Sequence, residues 1–432
     1  MKCLLVIATS LVGLGQVPDL GGSFPFPLES EAIRYQEASK KGPVARLQAL
    51  LDKGEVALDY DARHGYLPAV LKALGVSKDS QMLVFSKTSF QFGRISPSMP
   101  RAIYFTDDAY VGWVQGGEVV EISSVDPERG AIFHTLDQTK KGRPRFERRD
   151  ECLQCHDSPR TLGVPGHLVR SVFTDMEGFP QTQAGGFVTD HRSPMGERWG
   201  GWYVTGTHGE ARHMGNVVIA DKTKPDVLDV EAGANITELN KLVAVSPYLT
   251  KHSDLVALMV LEHQTRMHNL ITRVAYETKI ALYSQEGMSK ALGRPLGEWS
   301  DSTKRRIEGP AEVLLRYMLF LEEPGLKGPV EGTSGYTKNF ALSGPKDSHG
   351  RSLRDLDLKT RLFQYPCSYL IYSEAFDALP APALTYIWRR LWEVVSGQER
   401  GAAFATLTGA DRKAIREILL ETKQKLPEYW KP

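Results

Sequence analysis

The chain has 432 residues, 41% of them hydrophobic and 24% charged, with a formal net charge of +1. That length has room for two or three domains of ordinary globular composition. A near-neutral chain with no long basic or acidic tail gives no support to nucleic-acid binding or polybasic membrane attachment. Four cysteines are too few for a disulfide scaffold.

The chain opens Met1-Lys2 and runs apolar to Gly15, interrupted only by Thr9 and Ser10, with the small residues Gly13 and Gly15 at its end. This pattern predicts a secretory signal peptide over residues 1–20 and an exported, periplasmic protein. A buried first strand or an uncleaved anchor is the competing reading. Cys3 lies too near the start to be a lipidation cysteine behind a cleaved signal. The run is short of the roughly 20 apolar residues that span a bilayer, and every later hydrophobic run is soon broken by charge.

Residues 28–80 form a helical segment, with Leu47, Leu50 and Leu51 at helical spacing up to residue 74. From residue 82 the pattern changes to short β-branched and aromatic runs at 82–85, 101–105, 110–114, 119–122 and 131–133. Thr106-Asp107-Asp108 and Gly116-Gly117 read as hairpin turns between them. β character resumes at 169–173, 186–189, 201–205 and 216–220, with a turn at residues 175–178. A polar stretch from Asp221 leads into helices. The first spans residues 254–282, with Ser253 as its cap and Met259, His263, Met267, Leu270 and Val274 on one face. Others are expected from Pro310 to Glu322 and over 369–379, 382–396 and 411–425, with a loop at 324–350. Thr408-Gly-Ala-Asp411 has the spacing of a capping box. The fold class is α+β: a β-rich domain over residues 81–222, then a mainly α-helical domain over 240–432. There are no internal repeats.

Inside the β-rich part stands Cys152-Leu153-Gln154-Cys155-His156. C-x-x-C-H reads as a c-type haem attachment site. Two thiols three positions apart can each add to one vinyl group of a single haem, and the next imidazole falls beneath the iron. The same residues are also compatible with half of a zinc site or a redox dithiol. A closed zinc site needs four ligands, though, and no second C-x-x-C supplies them. Cys367, among aromatic residues, reads as a buried and inert thiol.

The motif resembles that of the c-type cytochromes. The resemblance implies thioether bonds from Cys152 and Cys155 to one covalent haem c, with His156 as proximal iron ligand. It covers the motif only. In the small cytochromes c the motif opens a compact helical domain, whereas here about 130 residues and a β pattern precede it. A haem carried on a PAS-like sensor domain is a parallel, suggested by the strand-turn-strand run at residues 172–179.

The sixth iron ligand decides the chemistry, because a second strong ligand favours electron transfer and an open face permits O2, NO or peroxide chemistry. Residues 191–215 are the densest candidate region. Met214 and His213 rank first, Met214 lying 58 residues beyond His156, a separation similar to that in small cytochromes c. His208 and His191 follow, and His263 is the outsider from the helical half, where a satisfied core histidine is the plainer reading. Arg192, Arg198 and Arg212 could stabilise charge on a leaving oxygen or bind haem propionates. Lys140, Lys141, Arg143, Arg145, Arg148 and Arg149 crowd before the motif and suit propionates, an acidic redox partner or plain solvation. The leading expectation is an exported monohaem cytochrome that passes single electrons to a redox partner protein. The alternatives are a peroxidase-like haem c enzyme or a gas or redox sensor, and a haem-free zinc site. No serine-hydrolase elbow, phosphate loop or HExxH helix is present.

Overall fold

The computed structural model describes residues 25–37, 41–140 and 142–431. The signal-peptide expectation over residues 1–20, with Cys3 and Lys141, therefore lies outside the described residues. Two helices, α1 (Pro43–Lys53) and α2 (Leu67–Ala73), come first. Six strands follow: β1 (Met82–Val84), β2 (Arg101–Phe105), β3 (Ala109–Trp113), β4 (Val119–Asp126), β5 (Gly130–Asp137) and β6 (Phe146–Arg148). Each pairs antiparallel with the next, so they form a meander. The short helix α3 (Leu153–His156) leads to a separate antiparallel hairpin of β7 (Val169–Val172) and β8 (Gly186–Thr189). Then β9 (Trp202–Tyr203) returns to the free edge of β1, completing a seven-stranded sheet in the order β6-β5-β4-β3-β2-β1-β9.

Beyond β10 (Gly206–Thr207) the chain is mainly helical. Here lie α4 (Leu255–Ala291), α5 (Asp301–Met318), α6 (Tyr336–Leu342), α7 (Glu374–Asp377), α8 (Ala381–Val395) and α9 (Gly409–Thr422), while β11 (Glu331–Gly332) pairs with β10. The protein is thus α+β with a helical C-terminal region. Among the described residues no helix is long and apolar enough to cross a membrane.

Strand alternation sorts the sheet into two faces. Leu83, Ala102, Tyr104, Val111 and Ile122 pack with α1 and α2 in one apolar cluster. Met82, Val84, Phe105, Tyr110 and Val125 face the other way and join α4, α5 and α8 in the largest cluster. Both faces are covered, which accounts for β3 being buried at every position.

Helix α4 is about 55 Å long at 1.5 Å per residue. It is buried all round from Leu255 to Gln264, because the sheet lies on one side and α5 on the other. The single apolar face drawn from its sequence is therefore too narrow. Its cap is Asp254 rather than Ser253. Asp254 Oδ1 accepts from the N–H groups of Val256 and Ala257, and Oδ2 accepts from Thr333 N, Ser334 N and Ser334 Oγ at 2.8–2.9 Å. Ser253 stitches α4 to the sheet, its hydroxyl taking Leu83 N–H and donating to Tyr203 O.

Other sequence expectations shift for local reasons. Residues 216–220 are not a strand: Asn216 adopts φ +69° and its side chain, bonded to Val204 N and O, stands in for a strand partner. The helix expected from Pro310 begins at Asp301, capped by Ser300, and carries Pro310 inside it. Burial of Ile307, Ala311, Leu314 and Leu315 against α4 outweighs the one hydrogen bond lost there. Residues 369–379 split into a 3-10 turn and α7, because Ser373 caps a new helix on Phe376 N. The loop at 324–350 contains β11 and α6. The capping box of Thr408 and Asp411 is formed in full.

Asp254→Ala removes the acceptor of four backbone N–H groups at once. Urea unfolding is expected to show a loss of about 2–4 kcal/mol, with Asp254→Asn losing less. A loss below about 0.5 kcal/mol, the scale of an ordinary surface substitution, contradicts this account of the cap.

Candidate functional site: the Cys-x-x-Cys-His turn

Residues Asp150–Cys152 form a 3-10 turn that runs into α3, so the motif sits on a short helical excursion between the meander and the β7–β8 hairpin. Cys155 is exposed and Cys152 half-buried, and neither is in a disulfide. Of the two, Cys155 is the one open to solvent.

His156 is fixed by one contact. Its Nδ1 lies 2.9 Å from the carbonyl oxygen of Gly166. A carbonyl only accepts, so Nδ1 carries the proton and Nε2 holds the lone pair in the neutral ring. Burial pushes the ring's pKa down, which keeps it neutral. Nε2 has no hydrogen-bond partner among the described residues. This tautomer, with Nδ1–H held by a backbone carbonyl, is what an Nε2-ligating histidine requires.

The Gly166 carbonyl is itself held from α4. Asn269 Oδ1 accepts from His167 N at 2.9 Å, and Asn269 Nδ2 donates to His167 O at 2.7 Å. Gly166 must be glycine for this to happen, because a Cβ there would stand 2.2 Å from Asn269 Oδ1. His167 contributes its backbone, while its ring bonds Ser123 Oγ through Nε2 at 2.5 Å and leaves Nδ1 unpartnered. The ring of Phe133 lies between the two histidines, 4.7 Å from His156 and 5.9 Å from His167.

Two cations lie close to the motif, and neither belongs to the basic crowd before it. Arg101 on β2 lies across Gly112 to reach Glu121 on β4 at 2.5 Å, and both of their charges act on Cys152 and His156. Arg170 on β7 interacts electrostatically with Cys155. In the basic crowd, Arg148 pairs with Asp150 and covers the Tyr35 ring. Arg149 pairs with Glu147 and donates to Thr135, and Lys140 lies over the Tyr60 ring.

Burial, then Glu121 and Glu151, push the Cys152 thiol up to about 11. A reactive dithiol needs the opposite shift. The thiols and His156 are also not drawn around a single ion. Among the described residues the one such group is Asp347, His349 and Glu421, near the end of α9.

The ranked distal candidates are held elsewhere. Met214 Sδ accepts from Ser171 Oγ at 3.6 Å. Ser171 and Arg170 are neighbours on one strand and so face opposite ways, which puts Met214 on the face of β7 away from the Arg170 side chain. His213 is buried edge-on against Trp199, its Nδ1 taking Gly215 N–H at 3.0 Å. His208 is saturated, bonding Ala211 O through Nδ1 and Asn235 N–H through Nε2. His191 and His263 form a buried pair, Nδ1 to Nδ1 at 2.9 Å, and His263 Nε2 meets Ser368 Oγ. Arg192 pairs with Asp190 and Glu322, Arg198 with the buried Glu262, and Arg212 with Glu231. Cys367 is fully buried, and burial pushes its thiol up to about 12.

Sequence reasoning missed Gly166, Asn269, Phe133, Arg101 and Arg170. A charged residue on an otherwise apolar strand was the only available signal, and it pointed to Arg101. Comparison of the chain with protein-family models, curated proteins and solved structures gives no match.

Gly166→Ala drives a Cβ into Asn269. It is expected to lower stability in urea by about 1–3 kcal/mol and to move the side-chain 15N shifts of His156. Unchanged shifts contradict the clasp.

Several histidines are neutral in the fold: His213 and His263 are pushed down to about 3, His268 and the half-buried His134 to about 4, and His167 and His191 well below the usual range, all by burial first. The unfolded chain takes up these protons near 6.5. Stability is therefore fully present above pH 6.5 and falls on acidification, by about 1.4 kcal/mol per pH unit per proton. Glu262 and Glu323, raised to about 7 by burial, act in the opposite sense between about 4.5 and 7, so the loss steepens below pH 4.5. Urea midpoints measured from pH 7.5 to pH 4 check this, and a flat profile contradicts it.

Proposed function

We propose that the chain is an exported haem protein. Cys152 and Cys155 carry one covalently attached haem c, His156 is the proximal iron ligand, and the protein passes single electrons to and from a redox partner protein. The observation that carries this reading is the state of His156: Nδ1 tied to the Gly166 carbonyl and an unpaired lone pair on Nε2, in a turn that also carries two free thiols. A bound haem supplies a one-electron iron couple, tuned by its axial ligands and their surroundings.

The chain's own residues have defined tasks in this reading. The Gly166 carbonyl orients the imidazole and raises its basicity. Asn269 keeps that carbonyl in place. Arg170 offers positive charge to the carboxylate of a propionate side chain, while the charge of Arg101 is matched by Glu121. Cys155 is exposed, which supports an attachment point that a redox partner can approach. Export to the periplasm is part of the proposal and rests on the first 20 residues of the sequence.

A second reading, a peroxidase-like haem c enzyme or a gas or redox sensor, is favoured by one specific observation. Met214, His213, His208 and His191 are each engaged away from the motif. An iron without a second strong protein ligand binds small molecules.

Expression with haem-maturation machinery, followed by a pyridine haemochrome spectrum, tests the cofactor. The expected result is one covalent haem per chain, lost in the Cys152→Ser, Cys155→Ser double variant. Absence of covalent haem overturns both readings and revives the zinc site. CO added to the reduced protein then separates them. An unchanged spectrum with a reversible couple supports electron transfer, and a CO complex formed without denaturation supports the enzyme or sensor.

A further inference from the structure

Between β1 and β2 the chain leaves two phenylalanine rings in water. Phe90 is 70% exposed, the highest value for a large hydrophobic side chain among the described residues, and Phe92 is 55% exposed. The loop that carries them is not slack. Lys87 N–H donates to Gly178 O at 2.8 Å, and Arg94 pairs with Glu118 at 3.3 Å. Between the two rings Gln91 is fastened to β4 by its amide. Its Nε2 donates to Glu121 Oε1 at 2.9 Å and to Val119 O at 3.3 Å, while its Oε1 accepts from Glu118 N–H at 3.2 Å. Exposed apolar side chains on a fixed support mark a contact site. We propose that Phe90 and Phe92 cover the apolar plate of a haem attached at Cys152 and Cys155, an inference that rests on the haem reading.

The register of the sheet places this loop beside the motif. Ser123 on β4 stands opposite Phe133 on β5, and Glu121 stands opposite Thr135. Alternate residues of a strand share a face, so all four lie on one side of the sheet. His156 packs over Phe133, with ring centroids 4.7 Å apart. Glu121 is therefore one row along from the ring under the imidazole, about 7 Å at two residues' rise, a distance that a porphyrin spans. Gln91 holds on to Glu121, and Phe90 and Phe92 flank Gln91 in the chain. The thiol reports the same proximity. Glu121 pushes Cys152 up more than Glu151 does, although Glu151 is its neighbour in the chain.

The chemistry of this surface selects the occupant. The ions around Gln91 are matched, Arg94 with Glu118 and Arg101 with Glu121, so a charged partner finds no open charge there. What the loop offers is aromatic area, and aromatic rings pack on a flat conjugated plate through offset and edge contacts. The task of the rings in that place is to exclude water, because solvent access and local dielectric set the potential of a bound iron. Water favours the more highly charged ferric state, so opening the cover lowers the potential.

The test compares chains expressed with haem-maturation machinery: the natural sequence, Phe90→Ser with Phe92→Ser, and Cys152→Ser with Cys155→Ser. Hydrogen exchange at the amides of residues 88–94 is expected to be at least about tenfold slower in the haem-bearing natural chain than in the cysteine variant. The serine variant of the two phenylalanines changes exposed positions, so it is expected to keep its circular dichroism and one covalent haem per chain. Its midpoint potential is expected to fall by about 59 mV, tenfold in a one-electron equilibrium. Phe90→Leu with Phe92→Leu, still apolar, is expected to recover most of that shift. Absence of covalent haem in the natural chain overturns the haem reading and the cover with it. Covalent haem with equal exchange in the two chains, or with an unchanged potential in the serine variant, overturns the cover alone. Protection of residues 88–94 that appears in the cysteine variant and grows with protein concentration assigns the rings to a second copy of the chain, and also overturns it.

Discussion

The arrangement around the Cys-x-x-Cys-His turn depends on one side chain, Asn269, and on the fact that α4 is buried where it carries that residue. A polar side chain on a buried helix face has to find partners inside the protein, because an unpaired amide costs about 1–3 kcal/mol. Asn269 finds both of its partners on the backbone of His167. The clasp fixes the peptide that precedes His167 and with it the Gly166 carbonyl, which in turn fixes His156. The chain of dependence runs from helix to loop to imidazole through three hydrogen bonds.

The same logic extends along α4. Glu262 meets Arg198, His263 meets His191 and Ser368, and Gln264 donates to Thr106 O and Tyr110 Oη and accepts from Tyr369. His268 donates to Asp107 O. These polar residues tie the helix to three segments: residues 191–198, the β2–β3 turn with β3, and residues 368–369. The sheet supplies the opposing wall. Its two covered faces leave little freedom for strands to slide, and Gly112 removes the one side chain that would keep Arg101 from reaching Glu121. The helical half thus supplies, through α4, the back wall against which the motif is positioned.

What the sequence showed follows the range of the interactions involved. The strands at 101–105 and 186–189 and the turns at Thr106–Asp108 and Gly116–Gly117 were legible because alternation and turn chemistry are local. The Thr408–Asp411 capping box was legible for the same reason. The cap of α4 was not, because Asp254 is chosen over Ser253 by partners near residue 333. At the site, Cys152, Cys155 and His156 were legible as a contiguous motif, whereas the clasp joins residues 102 apart. The partners of the histidines in residues 191–215 are not legible in the sequence: His208 and His213 meet nearby backbone groups and His191 meets the His263 ring from α4. Pro310 misled for a related reason, since its preference for a first turn is a local one and the packing of α5 on α4 is stronger.

The buried rings join the motif to the β2–β3 turn. From His156 the sequence of contacts runs through Phe133 to His167, whose ring lies 4.1 Å from Tyr110. Tyr110 meets Gln264 and lies 6.4 Å from His268. Each ring on this path except Phe133 is also pinned by a hydrogen bond. The β2–β3 turn holds His268 through the Asp107 carbonyl, and the next residue on α4, Asn269, clasps the backbone of His167 that carries the Gly166 carbonyl to His156.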